Sequence, residues 1–424
     1  MRIAKSTLID PARNEVYGIA AVALSLFVFA YSSRFGQISI LAYYGVWGLL
    51  VLVDYRRALG NYLNHVWIFG FALFCFISAF WSPAFGLSLR TAIQYLTHIV
   101  CALIAMRTVS ATTLTRGVIA GVAVVLIYSL LFGTYLYDVI DGSYSFVGAF
   151  SSKNQLGFYA SLGLFFCYAA VMIFRMQGLW FMISGVVGLI SAYSLLASQS
   201  ATSVITTVAV IAACFGMQGF MIFTPRHRRI FFSAAVVLAI AAGVGALQAG
   251  ALDAILGVFG KDTTLTGRTY LWQQGIAAAA ANPYFGIGYQ SYWVPGFSEA
   301  ERLWQEFFIT GRSGFHFHNT YIETMVETGL FGTLLLVSIL LTTLGGHLKR
   351  LLTIGRTPES ILAFGIVSLL VIRSFVEIDV INPYHVGSFL LYFAAGKLAL
   401  GQSRSVRSPY YDPFVPDPNT PQTS

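Results

Sequence analysis

Of the 424 residues, 57% are hydrophobic and only 10% are charged, more apolar surface than a water-soluble core could enclose. An ordinary soluble domain is thereby excluded, and an all-α polytopic membrane protein is indicated. The net charge of +8 is spread over loops as a topology signal with some attraction to anionic lipid, so the lipid bilayer is the expected environment and no nucleic acid is expected as a partner.

In chain order, Arg2 and Lys5 precede an apolar run without a small-x-small cleavage site, which makes that run a first span rather than a signal peptide. Uncharged runs of bilayer length then predict about twelve spans, at 17–32, 36–53, 65–81, 91–106, 117–136, 155–173, 179–197, 203–223, 230–250, 329–346, 360–375 and 386–400. Arg90, Gln94 and His98 recur at helical spacing on the fourth span and would line one stripe facing a cavity. Lys153-Asn154 opens the sixth span, and Arg373 with Glu377 and Asp379 closes the eleventh. Cys75, Cys101, Cys167 and Cys214 all fall within spans, so they form neither a disulfide framework nor a zinc cluster.

With both termini cytoplasmic, the inner loops carry about twice as many Lys and Arg as the outer ones, which puts the long insert between the ninth and tenth spans outside. The chain therefore divides into a bundle of about nine spans (1–250), a large helical outer loop (251–328), the C-terminal spans (329–400) and a proline-rich, disordered cytoplasmic tail (401–424).

The insert concentrates the chemistry. Arg268 opens a run ending at Asn282-Pro283 that predicts a helix with the guanidinium in its first turn, a position unfavourable for the helix dipole unless an anion such as phosphate lies between the two. An exposed surface arginine is the plainer alternative. Ser298-Glu299-Ala300-Glu301 matches a capping box opening an amphipathic helix to about Gly311, and Thr320-Tyr321-Ile322-Glu323 matches another. His318 then lies just before a helix N-terminus, whose positive end would keep its imidazole neutral, as a general base requires, with Glu323 and Glu327 one turn apart to orient it. Two interfacial capping histidines are the alternative. A metal site is not expected, since His316 and His318 lack further ligands at recognisable spacing.

Gly267-Arg268 with Trp272, then Asn282-Pro283-Tyr284-Phe285-Gly286-Ile287-Gly288, then His318-Asn319-Thr320-Tyr321-Ile322-Glu323 and Glu327-Thr328-Gly329-Leu330-Phe331-Gly332 resemble the O-antigen ligase and O-antigen polymerase superfamily of bacterial envelope glycosyltransferases. Phe150-Ser151-Ser152-Lys153-Asn154-Gln155-Leu156-Gly157 resembles the exopolysaccharide polymerase branch. One departure is Ala201, where many relatives carry a basic residue after the serine.

The resemblance implies an inner-membrane enzyme, active at the periplasmic face, that needs no cofactor and no metal. It would transfer glycan with inversion from an undecaprenyl-pyrophosphate-linked donor to a glycan or lipid-core hydroxyl, alongside other polysaccharide assembly proteins. His318 would be the base and Arg268 the principal pyrophosphate ligand. Arg90, Lys153, Asn154, His316, Asn319, Glu323 and Arg373 would bind substrate. Polymerase is favoured over ligase, and a transporter or flippase is the more distant alternative, since carriers place polar residues at the midplane rather than in one surface loop.

Overall fold

The computed structural model describes residues 4–61, 65–138, 143–250, 267–312, 314–355 and 357–406. Residues 251–266 of the expected outer loop and 407–424 of the expected tail lie outside the described residues.

The elements in chain order are α1 (Lys5–Ile9), α2 (Val16–Leu59), α3 (Val66–Ser78), α4 (Phe85–Thr108), α5 (Ala111–Phe132), β1 (Thr134–Asp138), β2 (Ser143–Gly148), α6 (Lys153–Tyr168), α7 (Leu179–Ala197), α8 (Ala201–Phe220) and α9 (Pro225–Gln248). After these come α10 (Arg268–Ala281), α11 (Ser298–Glu306), α12 (Thr320–Thr353), α13 (Pro358–Arg373) and α14 (Val386–Val406). Among the described residues, eight helices are long and apolar enough to cross a membrane, and α3 and α14 are shorter apolar helices. Large apolar side chains such as Ile38, Leu52, Leu189 and Ile222 point outward, the reverse of a soluble bundle and the expected state of helices solvated by lipid. The protein is a multi-pass membrane protein.

The first two expected spans are arms of one helix, α2, broken at Gly36 with φ 62°. α12 is broken likewise at Gly329 (φ 62°), where a Cβ would come 2.3 Å from the Tyr284 carbonyl carbon. Only glycine fits both that backbone and that approach. The break lets Leu330 and Phe331 donate their N–H groups to Pro283 O and Tyr284 O at 2.8 and 3.2 Å, and Ile287 and Gly288 donate to Val326 O and Glu327 O. The loop 283–288 is thus sewn onto α12 beside the break.

The structure corrects three local expectations. The fifth span ends at Phe132, and an antiparallel β1–β2 hairpin follows, pairing Tyr135 with Phe146 and Tyr137 with Tyr144. Its alternating aromatic residues favour strand pairing over helix, although their hydropathy lengthened the apparent span. The second correction concerns α11, which ends at Glu306 rather than near Gly311, and Ser298 makes no cap: its hydroxyl bonds Glu299, while the Gly296 N–H donates to Glu301. Finally, α12 is capped by Asn319, not Thr320: the Asn319 side chain accepts from the Tyr321 and Ile322 N–H groups at 2.9 and 3.1 Å. The four cysteines are buried and unbridged, as expected.

Candidate active site

The segment 374–385 between α13 and α14 crosses one end of the bundle and is fastened along its length. The Thr320 N–H donates to Ser374 O (2.8 Å), Asn319 Nδ2 to Phe375 O (2.9 Å) and the Thr320 hydroxyl to Glu377 O (2.6 Å). Further along, the Tyr95 and Tyr289 hydroxyls donate to Val380 O and Ile381 O at 2.8 and 2.6 Å, and Gln290 Nε2 donates to Asn382. Each backbone group so used belongs to a segment too short to satisfy its own carbonyls. The result is a rigid strap that holds Glu377 and Asp379 in place.

Glu377 is the centre of the first cluster. Arg268, the first residue of α10, lays its guanidinium across the strap, with Nη1 donating to Val376 O and Nη2 to Glu377 Oε1, both at 3.0 Å. The other oxygen, Oε2, lies 3.6 Å from His318 Nδ1. Burial would raise the Glu377 carboxyl, but Arg268, followed by His318 and His316, outweighs it and holds the carboxyl well below the usual carboxylate range. The group is ionised at any physiological pH.

His318 has φ 52°, a left-handed backbone uncommon for a residue with a side chain, and its surroundings explain why it persists. The preceding residue, Phe317, is held at both backbone groups: its N–H donates to Glu323 Oε2 (2.8 Å) and its carbonyl accepts from Trp272 Nε1 (2.9 Å). The His318 N–H donates to His316 Nδ1 at 3.0 Å. Burial and then the adjacent His318 push the His316 imidazole well below its ordinary value, so it stays neutral and can accept that bond. Glu323 therefore fixes the histidine loop through Phe317 and does not orient the His318 ring. Its remaining oxygen accepts from Trp293 Nε1. Glu327 is buried on the same helix, and among the described residues no hydrogen bond or ion pair joins it to the His318 ring. The orienting acid is Glu377, which is close in space and 59 positions away in sequence.

His316, His318 and Glu377 also bring three possible metal-ligand atoms within 4.8 Å of one another. The sequence offered no third ligand; the strap supplies one. The same carboxylate is held through Oε1 by the Arg268 guanidinium, so a divalent ion bound there would share it with that cation.

Arg373, at the end of α13, centres a second cluster. It is 1% exposed, donates to Asp379 at 2.5 and 3.4 Å and to the Ser203 hydroxyl at 3.0 Å, and lies 4.2 Å over the Phe158 ring. The Ser200 hydroxyl lies 3.0 Å from both Asn154 Oδ1 and Ser203 Oγ, within hydrogen-bond distance of each, which ties Asn154 and the Ala201 region to the same cluster. Asp379 also faces His385, with Oδ1 3.9 Å from Nε2.

Of the residues expected to bind substrate, the structure gathers Arg268, His316 and His318 directly, with Asn319 close by as helix cap and strap anchor. Asn154 and Arg373 belong to the neighbouring cluster. Arg373 is sealed from solvent, its guanidinium held against Asp379 and the Phe158 ring. Lys153 is half-buried at the start of α6. The stripe expected on α4 does not form: Arg90 is exposed and joined to neither cluster, while His98 is turned into the core on the Tyr43 hydroxyl (3.0 Å). Sequence reading missed His385, which sits between a span end and a span start with no motif around it. The pairing of Glu377 with Arg268 could not be seen without the strap.

The fold is thus that of a multi-pass helical membrane protein with arginine–carboxylate–histidine clusters at one end of its bundle. Residues 186–337 match the family model described as O-Antigen ligase. The chain is also 63% identical over 404 residues to "Exopolysaccharide production protein ExoQ" of Rhizobium meliloti (strain 1021), covering 95% of this chain and 93% of that protein. The chain belongs to the O-antigen ligase and polymerase-like family. The matched stretch contains Arg268, His316, His318, Asn319 and Glu323; Arg373, Glu377, Asp379 and His385 lie beyond it.

Proposed function

We propose that this protein is a polysaccharide polymerase that joins undecaprenyl-pyrophosphate-linked repeat units at the periplasmic face of the inner membrane by inverting, metal-independent glycosyl transfer. The observation that carries the reading is the Arg268–Glu377–His318 relay. The His318 imidazole takes the proton of the acceptor sugar hydroxyl, the hydroxyl oxygen bonds to the anomeric carbon from the face opposite the leaving group, and the bond to the pyrophosphate oxygen breaks with its electron pair. Ionised Glu377 stabilises the imidazolium that forms, as a buried carboxylate does for a histidine base. Arg268 balances that carboxylate and presents a cationic face to the departing pyrophosphate.

Polymerase is preferred over ligase because the curated relative carries an exopolysaccharide name over nearly its whole length. Deleting the gene is expected to remove long surface polysaccharide while single repeats remain on the lipid carrier. Finished chains accumulating unattached would instead favour transfer to a lipid-core acceptor.

The twelve-span topology with cytoplasmic termini is part of the same proposal. A cysteine replacing exposed Gln305 on α11 should react with a membrane-impermeant thiol reagent in intact cells once any outer membrane is permeabilised, while the four buried native thiols stay silent. Labelling only after lysis would place the loop on the cytoplasmic side.

A further inference from the structure

Two carboxyl groups are buried next to the histidine loop without a cation. Glu323 and Glu327 stand one turn apart on the first arm of α12, ahead of the break at Gly329, a spacing that puts their Cβ atoms roughly 5–6 Å apart. Each is only 2% exposed. None of the ion pairs among the described residues involves either of them. The titratable groups that face them from other elements are Cys75 of α3, Tyr289 and Tyr292, all neutral at physiological pH. Two negative charges side by side in a buried site with no cation do not both persist, so one of the carboxyls holds a proton.

The hydrogen bonds decide which. Glu323 lies in the first turn of α12, where the helix dipole favours an anion. Its two oxygens each accept an N–H, Oε1 from Trp293 Nε1 and Oε2 from Phe317, both at 2.8 Å. Bonds of this kind are strongest to an ionised carboxylate, and a proton would occupy one of the two oxygens. Glu327 lies one turn further from that helix end, where the Gln290 backbone is the hydrogen-bonding group that faces it. The charge therefore belongs on Glu323 and the proton on Glu327.

We propose that Glu323 and Glu327 hold a single proton between them, kept on Glu327, which leaves Glu323 as the carboxylate that positions His318 by clamping the Phe317 N–H and the Trp293 indole. The clamp joins three separate stretches of chain: α12, the histidine loop and the segment before α11, whose Trp293 packs on Phe315 and Phe317 with ring centroids 5.1 and 4.9 Å apart. The positioning role rests on His318 as the base of the proposed function; the place of the proton does not.

Infrared spectroscopy of the full-length protein in lipid vesicles at about pH 8 reads the proton directly, because exposed carboxyls are ionised there and a protonated one absorbs apart from them. The unaltered protein is expected to show a protonated-carboxyl band that Glu327→Gln, a neutral isostere, removes without changing the unfolding temperature. No such band in the unaltered protein, or a band that survives at full intensity in Glu327→Gln, overturns the inference. In the transfer assay Glu327→Gln should stay within about threefold of the unaltered protein, whereas Glu323→Gln, with one carbonyl oxygen for two donors, should lower kcat about ten- to hundredfold and leave KM within about threefold. Equal losses in the two variants, or a Glu323→Gln loss confined to KM, would overturn the positioning role. The infrared comparison needs neither turnover nor Glu323→Gln, so it decides the place of the proton whatever the reaction proves to be.

Discussion

His318→Ala is expected to lower glycan transfer by about a hundred- to ten-thousandfold, the usual contribution of a positioned general base, while the protein still inserts and unfolds at its normal temperature. The fold tolerates the change because the loop is held elsewhere: Phe317 is pinned by Glu323 and Trp272, and Asn319 caps α12 on its own. Relief of the left-handed backbone is not expected from alanine, which is no more at ease there than histidine. His316→Ala should be milder, since His316 only accepts the His318 N–H. Purified His318→Ala with near-normal transfer in reconstituted vesicles would remove the base from the mechanism.

Arg268→Lys should lose most of the activity although charge is preserved, by about ten- to a hundredfold if one charged hydrogen bond is lost. The guanidinium spans two acceptors, Val376 O and Glu377 Oε1, with two of its N–H groups in a fixed fork, which a single ammonium does not reproduce. Charge alone is insufficient at this position. Glu377→Gln makes the complementary case: it leaves the Arg268 charge without its counter-ion and His318 without its carboxylate, so it should impair transfer and lower stability together. Arg268→Lys with full activity in the same assay would reduce that residue to a diffuse cation.

Much of this architecture is written in the chain. Hydropathy alone indicates a helical membrane protein, and α7, from Leu179 to Ala197, coincides with its expected run because in lipid a helix must be apolar over a fixed length. The helix from Arg268 to Ala281 was equally readable, since Gly267 and Asn282-Pro283 bound it. What was illegible depends on distant contacts. Glu323 has the spacing to serve His318, yet Glu377 does so, because the strap returns across the bundle end to α12 through Thr320 and Asn319. Arg373 stands beside both Glu377 and Asp379 in the sequence, and only the structure shows that it pairs with Asp379 while Glu377 goes to Arg268. No local period encodes such pairings.

The central claim, that a neutral histidine and an arginine–carboxylate pair carry the transfer in place of a metal ion, is tested most directly by one assay. Purified protein in vesicles is supplied with a lipid-pyrophosphate-linked repeat unit in excess EDTA, and product is measured as pH is varied from about 5.5 to 8. Glu377 remains ionised over that range because its pKa is depressed, and His316 remains neutral because its own is depressed. The rate should then rise with pH along a single limb as His318 loses its proton, and EDTA should leave it unchanged. Activity that disappears in EDTA and returns with one divalent metal would contradict the account and turn the His316, His318 and Glu377 group into a metal centre.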